Sequence, residues 1–260
     1  MGCGWLGLPL AKSFVSDGYR VHGSTTSEEK LSALKKEGIT PFLISFHERV
    51  IEGDISGFLQ DVELLVVNIP PKLRNGAKEN YVKKIQLLYR EIKKSAVKKI
   101  IFISSTSVYG AMNGEVTEET TPEPTTESGK QLLAAEKIFF EDKNLLSTII
   151  RFGGLIGPNR HPITMLSGRV TLSNGNAPVN LIHLDDCLLI IRAVHLKSWW
   201  NELINGVHPH HPTKRNYYAQ EAKKRNLQAP DYKEDTGIKG KIVVPKVLLN
   251  VKKYKFTTTL

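Results

Sequence analysis

The sequence predicts an α/β fold with a doubly wound parallel sheet, and three observations lead to this prediction. Strand-like and helix-like segments alternate between residues 20 and 151, which is typical of βαβ units. Two of the strands, residues 63–69 and 99–103, are continuous apolar runs, as expected for strands that helices cover on both faces. Ahead of them, residues 2–7 read Gly-Cys-Gly-Trp-Leu-Gly, a G-x-G-x-x-G turn that opens a helix.

The elements of this first part follow in a regular order. Asp17-Gly18 is a typical helix end, and Ser27 is the expected N-cap of the second helix. We expect helices at residues 5–16, 27–36, 78–95 and 127–141, and strands at residues 20–24, 40–44, 63–69, 99–103 and 146–151. The third helix carries an apolar stripe formed by Tyr81, Ile85, Leu88 and Ile92.

The alternation becomes looser beyond residue 152. Asp185-Asp186 is expected to cap a helix that runs through His195, residues 216–225 have a helical pattern, and residues 241–244 form a strand pattern. We therefore predict a Rossmann core at residues 1–152. Residues 153–260 would supply the remaining sheet elements and a small C-terminal lobe on the substrate side, within the same compact unit.

The position of the glycine turn raises a question about the first strand. A doubly wound sheet has its first strand at the centre, and the dinucleotide-binding turn follows that strand directly. Only Met1 precedes Gly2. We therefore expect residues upstream of Met1 in the natural protein, which its intact mass or its genomic reading frame would test.

Composition limits the class of protein and its partners. The 260 residues are 40% hydrophobic and 24% charged, and no apolar run reaches the roughly 18 residues of a membrane span. Two cysteines, Cys3 and Cys187, do not form a disulfide framework, so we expect a cytoplasmic protein without a membrane partner. The net charge is +10, but the paired lysines are typical of solvated helix faces rather than of a nucleic-acid surface. The positive field would attract a phosphorylated cofactor or an anionic substrate.

The glycine turn predicts a dinucleotide-binding loop. Gly2 would allow the chain to turn out of a strand, Gly4 would let the backbone approach a pyrophosphate, and Gly7 would allow close packing of the helix on the sheet. The N–H groups of Trp5 and Leu6, at the positive end of the helix dipole, would then face the phosphates.

Three later segments carry a resemblance to a known family. Ser104-Ser105-Thr106-Ser107-Val108-Tyr109-Gly110 resembles the S-S-x-x-V-Y-G segment of extended short-chain dehydrogenases/reductases, the NAD(P)-dependent epimerase/dehydratase kind. Residues 151–158, Arg-Phe-Gly-Gly-Leu-Ile-Gly-Pro, are similar to their R-x-x-x-x-Y/F-G-P turn, and residues 182–186, Ile-His-Leu-Asp-Asp, to their I-H-V-x-D. With the glycine turn, the resemblance spans essentially the whole chain.

The resemblance implies an NAD(P)-binding protein with its nicotinamide near the end of the strand at residues 99–103. Ser104 would lie beside the cofactor, and Ser105 matches the hydroxyl that orients the substrate oxygen in the family. A polar strand exit is the alternative for these serines. Asn68-Ile69-Pro70 would pass beside the adenine-side ribose and the pyrophosphate, although Asn68 is equally compatible with a turn at the end of a strand.

One departure from the family pattern concerns the catalytic dyad. Family enzymes carry Y-x-x-x-K on the next helix, and the apolar run and acid that follow place these two positions at Ser128 and Leu132. No tyrosine occurs between Tyr109 and Tyr217, so no other alignment of this helix restores the pair. Ser128 has a hydroxyl, but an aliphatic alcohol is a far weaker acid than a tyrosine.

The choice of cofactor follows from the end of the strand at residues 20–24. An NAD-specific site usually has an acid there, which binds the ribose 2′-OH. This chain has Ser24, Thr25 and Thr26 instead, and no acid before Glu28. Hydroxyl and N–H groups suit a 2′-phosphate, so the sequence favours NADP(H) over NAD.

Two functional hypotheses remain open from the sequence. The first is an atypical NADP(H)-dependent oxidoreductase or epimerase/dehydratase-like enzyme that acts on a small carbonyl or sugar-like substrate. In such an enzyme Ser105 would orient the substrate, and the proton would come from Ser128, a lobe residue or water. The second is a non-catalytic redox sensor that binds NAD(P) and acts through a protein partner, which the missing dyad favours. We expect no metal site, since prolines interrupt His208-Pro209-His210-His211, and we leave a homodimer open.

Overall fold

The computed structural model describes residues 1–71, 73, 79–234 and 240–260, and it has the α/β fold that the sequence predicts. The strands are β1 (His22–Thr25), β2 (Thr40–Leu43), β3 (Ser45–Phe46), β4 (Ile51–Glu52), β5 (Leu64–Val67), β6 (Lys99–Ser105), β7 (Gly114–Val116), β8 (Leu146–Phe152), β9 (Gly154–Ile156), β10 (Leu181–His183), β11 (Leu203–Gly206) and β12 (Lys241–Val243). The helices are α1 (Gly7–Ser16), α2 (Glu29–Lys36), α3 (Ile55–Leu59), α4 (Tyr81–Lys93), α5 (Glu127–Phe140), α6 (Ile163–Leu166), α7 (Leu184–Leu196) and α8 (Lys214–Lys224).

Four parallel strands form the central sheet, in the spatial order β11-β8-β6-β5. The pairing of β6 with β8 extends from Lys99 opposite Leu146 to Ser105 opposite Phe152. Because all four strands run in the same direction, their carboxyl ends lie at one edge of the sheet, where ligands bind in such folds. Ser104 and Ser105 stand at that edge.

The helices cover this sheet through the apolar faces that the sequence predicts. Tyr81, Ile85, Leu88 and Ile92 of α4 are all fully buried, as expected from their spacing. Helix α5 adds Leu132, Ala135 and Phe139 to the same core, while α1 and α7 pack together in a second core cluster that includes Leu10 and Ile190. The βαβ alternation is thus confirmed as a layered α/β structure.

Strands β1 and β2 form a separate parallel pair, and residues 1–3 connect it to the central sheet. The amide of Cys3 donates to the carbonyl of Ser24 in β1 at 2.8 Å, and the amino group of Met1 donates to the carbonyl of Val66 in β5 at 2.7 Å. Below this connection lies a cavity of about 870 Å³, lined by residues of α1, β1 and β5 such as Phe14, His22 and Leu64.

Some predicted helix ends differ from the observed ones. Helix α2 begins at Glu29, with Glu28 at the N-cap position, and the predicted Ser27 cap is not observed: within the described residues Ser27 bonds through its backbone, its amide donating to the Thr25 hydroxyl at 3.1 Å, and not through its own hydroxyl. Helix α4 has Asn80 as its N-cap, and the predicted start at Lys78 lies outside the described residues. The cap of α7 is the His183 side chain instead of Asp185-Asp186.

The part of the chain after residue 152 adds short elements around the carboxyl edge of the sheet. β9 pairs with β10 and β12 pairs with β7, each as a two-stranded parallel ladder. The predicted helix at residues 216–225 begins two residues earlier, at Lys214, with Thr213 as its cap. Among the described residues, no helix combines the length and the hydropathy needed to cross a membrane.

Candidate functional site

The glycine turn lies between the carboxyl ends of β1 and β5. Its first residue is bound from both sides: the Gly2 amide donates to the Ser24 hydroxyl at 2.9 Å, and the Asn68 side-chain amide donates to the Gly2 carbonyl at 3.2 Å. The Asn68 backbone amide also donates to the Met1 carbonyl at 3.2 Å. The turn is therefore held at the edge of the fold where a doubly wound sheet binds its ligand.

The three glycines of the turn meet three different surroundings. Gly2 has φ +88°, and an added Cβ would lie 2.5 Å from the Asn68 carbonyl oxygen. A Cβ on Gly7 would lie 2.1 Å from the Gly2 carbonyl oxygen, so only glycine allows this approach. A Cβ on Gly4 would meet no protein atom within 4 Å. Gly2 and Gly7 are needed to build the turn, while the space beside Gly4 is open for a ligand.

The N-terminal end of α1 offers free hydrogen-bond donors next to this space. Within the described part of the chain, the N–H groups of Trp5, Leu6 and Gly7 have no protein acceptor, and Leu6, at the N-cap position, makes no side-chain cap. The first turn of α1 contains no acid. Unpaired N–H groups and the helix dipole together favour an anion such as a pyrophosphate.

The Trp5 side chain links the turn to the segment after β9. Its indole N–H donates to the Pro158 carbonyl at 2.9 Å, and the Arg160 guanidinium lies 5.0 Å from the centre of its ring. An added Cβ on Gly157 would lie 3.1 Å from this indole. The Arg-to-Pro segment that resembles the family turn therefore packs directly on the glycine turn.

The hydroxyl groups at the end of β1 and just after it fall into two classes. Ser24 and Thr25 are buried, and their oxygens accept the amides of Gly2 and Ser27, so both shape the backbone of the site. Thr26 is exposed and makes no hydrogen bond within the described residues. Of the three predicted 2′-phosphate ligands, Thr26 is the one whose side chain is exposed and bound to no other described residue.

The turn after β5 is also held by the protein. Besides the Asn68 bonds to residues 1 and 2, the Tyr81 hydroxyl donates to the Ile69 carbonyl at 2.8 Å. Tyr81 is fully buried at the start of α4, and burial raises its pKa. The turn role of Asn68 is therefore observed, and its side-chain amide leaves one further N–H for a ligand.

A buried polar network lies directly beneath the serine pair. The Ser104 hydroxyl donates to Glu136 at 2.6 Å, and Glu136 forms an ion pair with Arg151 at 2.7 Å. Arg151 also donates to the Tyr109 hydroxyl at 3.0 Å, which donates to the Asn205 side chain at 2.9 Å. Ser104, predicted beside the cofactor, thus uses its hydroxyl to fix α5 to the end of β6.

Ser105 has a different environment from Ser104. It is half-buried and caps the 3₁₀ turn at Thr106–Tyr109, its oxygen accepting the Ser107 amide at 3.1 Å. A serine hydroxyl that accepts one bond still has a hydrogen to donate, and no protein acceptor for it lies among the described residues. Ser105 can therefore donate to an oxygen of a ligand at this edge.

The start of α5 faces the same turn. Ser128 is half-buried, makes no side-chain hydrogen bond within the described part of the chain, and precedes Gly129, whose added Cβ would lie 2.8 Å from the Ser107 carbonyl oxygen. Leu132, one turn further, is buried in the core. The position of the family lysine is thus filled by an apolar side chain with no function in proton transfer.

A cavity of about 490 Å³ opens beside Thr106, the neighbour of Ser105. Its described walls come from the 110–113 loop, residues 174–181, the first turn or so of α8 and the beginning of β12. Two lysines, Lys214 and Lys241, face it, so we call it the lysine-lined cavity. Neither lysine lies in a recognisable motif, so no sequence pattern indicates these two residues.

The Ile-His-Leu-Asp-Asp segment has a structural role that its sequence did not reveal. Asp186 is fully buried and accepts hydrogen bonds from Tyr254, Thr257 and Thr258, with distances between 2.5 and 3.1 Å. The segment therefore fixes the C-terminal residues against α7. Among the other discounted features, His208 and His211 bond to the backbone carbonyls of Thr258 and Val179.

Comparison of the chain with known sequences identifies protein YeeZ as a relative. The chain is 34% identical to protein YeeZ of Escherichia coli strain K12 over 246 residues, which cover 94% of this chain and 89% of YeeZ. YeeZ from E. coli O157:H7 gives the same values. No family model matches the chain.

Comparison with solved structures gives likenesses over nearly the whole chain. A functionally unknown conserved protein from Silicibacter pomeroyi has a TM-score of 0.78 at 19% identity, covering 99% of this chain and 92% of that one. UDP-glucuronic acid 4-epimerase from Bacillus cereus, in complex with UDP-glucuronic acid and NAD, has 0.76 at 18% identity, with 100% and 95% covered. UDP-N-acetylglucosamine 4-epimerase from B. cereus has 0.75 at 17% identity, with 98% and 91% covered. These likenesses show the fold.

Proposed function

The chain belongs to the family of protein YeeZ and has the fold of the NAD-dependent epimerases and dehydratases, and from this premise we propose that it is an NADP(H)-binding oxidoreductase or epimerase-like enzyme. Its substrate would be a small carbonyl or sugar-like compound. The fold alone is shared by many functions, so the proposal depends on the residues of the site.

The observation that carries the proposal is the geometry of the glycine turn. Gly4 faces open space, and the neighbouring N–H groups of Trp5 and Leu6 lack protein acceptors among the described residues. A pyrophosphate accepts such donors and needs a backbone without a Cβ at the second glycine. Gly2 and Gly7 are sterically required by the turn itself. The residues present therefore fit a dinucleotide.

The preference for NADP(H) rests on the residues after β1. Thr26 is exposed and free, and no acid lies between β1 and Glu28 to repel a 2′-phosphate. The B. cereus epimerase was solved with NAD, so NAD is the alternative cofactor. Asn68, Ile69 and Pro70 would border the adenine-side ribose from β5.

The residues above the sheet would orient the substrate. When bound, the nicotinamide would supply or accept a hydride. Ser105 would donate its hydroxyl hydrogen to the reacting oxygen and so fix the carbonyl or carbinol group. Ser128, at the start of α5, would hold a water or donate to the same oxygen, while its high intrinsic pKa keeps it from replacing a tyrosine as the acid.

A second function, a redox sensor without catalysis, is favoured by one observation. Leu132 is buried in the core at the position of the family lysine, so this position holds no cation to bind a nicotinamide ribose or to lower the pKa of a neighbouring acid. A sensor would bind the reduced and oxidised cofactor differently and act through a protein partner.

Fluorescence titration with NADPH and with NADH separately tests the proposal, because Trp5 lies in the turn and should be quenched by a bound reduced nicotinamide. We expect tighter binding of NADPH and its oxidation by at least one member of a panel of carbonyl compounds, slowed in Ser105→Ala. Tight binding without turnover, unaffected by Ser105→Ala, would favour the sensor. Binding of neither cofactor would refute both.

A further inference from the structure

Lys241 is a half-buried cation at the wall of the lysine-lined cavity. It begins β12, and its ammonium group donates to the Gly110 carbonyl at 2.5 Å. No carboxylate pairs with it within the described residues. Burial lowers the pKa of this amine, as expected for a cation without a counter-charge. An ammonium has three hydrogens to donate, so the Gly110 carbonyl leaves donor capacity unused.

The other polar groups of the cavity are also donors. Lys214, at the start of α8, has no carboxylate partner among the described residues. Tyr218 and Thr106 are buried, line the cavity, and have hydroxyls without a hydrogen-bond partner in the described part of the chain. The described lining contains no aspartate or glutamate. Two cations and two unpaired hydroxyls without a counter-charge form a site of positive potential.

We propose that the lysine-lined cavity binds a carboxylate or phosphate group of a small anionic substrate, with Lys241 as its principal cation and Lys214 on the facing helix. This assignment rests on the proposed function, because the cavity adjoins Thr106 next to Ser105 and would place that substrate beside the reacting serine. Its volume of about 490 Å³ lies within the usual range of small-ligand sites, roughly 300–1,000 Å³.

If Lys241 had a purely structural role, the cavity would behave differently towards anions. In that case its amine would only connect β12 to Gly110, and the cavity would show no preference for anions. Labelling with pyridoxal 5′-phosphate separates the two roles, because this probe combines a phosphate with an aldehyde. The lysine nitrogen replaces the aldehyde oxygen with release of water, and borohydride then reduces the imine to a stable amine that peptide mass spectrometry locates.

We expect Lys241 to be the most rapidly labelled lysine, and inorganic phosphate to protect it. Lys246 is the internal control, because it lies shortly after β12 and pairs with Glu119 at 2.7 Å outside the cavity lining. Uniform labelling of surface lysines, or labelling of Lys241 that phosphate does not reduce, would overturn the proposal.

Variants of Lys241 then measure how much it contributes to phosphate binding, with the labelling of Lys214 as the readout. In Lys241→Met, the phosphate concentration that half-protects Lys214 from labelling should rise about tenfold or more. Lys246→Met should leave it unchanged, and Lys241→Arg should restore it, which also shows that a loss is not caused by misfolding. Equal protection of Lys214 in Lys241→Met would refute the assignment.

A titration of each variant with NADPH keeps this proposal separate from the proposed function. We expect Lys241→Met to bind NADPH like the unmodified protein, since Lys241 lies outside the glycine turn. If the unmodified protein binds no dinucleotide while phosphate protects Lys241, the dinucleotide function is wrong and the anion site stands. If it binds NADPH and Lys241 is unprotected, the anion site is wrong.

Discussion

Glu136 and Arg151 form a bidentate ion pair in the core beneath Ser104 and Ser105. Arg151 Nη2 lies 2.7 Å from Glu136 Oε2, and Nε lies 3.0 Å from Oε1. Both side chains are at most 4% exposed. The pair joins α5 to β8, and its hydrogen bonds to Ser104 and Tyr109 fix the segment that carries Ser105.

Glu136→Gln should reduce the free energy of unfolding by about 3–5 kcal/mol, because it leaves the Arg151 guanidinium buried without its counter-charge. Urea denaturation measures this change. Glu91→Gln is the matched control: it removes an ion pair with Lys94 on the surface of α4, so its expected cost is below about 1 kcal/mol. Equal losses in the two variants would show that burial of the pair has no energetic consequence.

Gly4→Ala should weaken NADPH binding at least tenfold, about 1.4 kcal/mol, while thermal stability is retained. Its added methyl group meets no protein atom within 4 Å, so its only close neighbour would be the ligand. Gly7→Ala is the contrast, because its methyl group would lie 2.1 Å from the Gly2 carbonyl oxygen and should destabilise the turn itself. Calorimetry and fluorescence titration separate the two effects. Unchanged NADPH affinity in Gly4→Ala would exclude the turn as the pyrophosphate site.

The sequence predicted the elements whose signal is local and repeated. The stripe of Tyr81, Ile85, Leu88 and Ile92 specified α4 because its spacing matches the helical period, and all four are buried. Strand β11, Leu203–Gly206, was missed because four residues that end in Asn-Gly have neither the length nor the composition of a strand. These residues form a strand only because they pair with β8.

The site was predictable only as far as its motifs extend. The glycine turn and Ser105 lie at the expected edge of the sheet, but the hydroxyls of Ser104 and Ser24 are bound by Glu136 and by the Gly2 amide. These partners lie 32 and 22 residues away in the sequence, so no local pattern could indicate them. Lys241 approaches Gly110 across 131 residues for the same reason.

Acidification should destabilise the protein through His161. Burial and the Arg225 and Lys224 charges lower its pKa to about 4, against the opposing effect of Glu221. Between about pH 6.5 and pH 4 the unfolded chain therefore binds the proton that the folded chain does not, and the free energy of unfolding falls by up to about 1.4 kcal/mol per pH unit as pH decreases. For His161→Gln, urea denaturation should show a free energy of unfolding that declines less steeply over this pH window, relative to the value of the same variant at pH 8. A slope identical to that of the unmodified protein would contradict the assignment.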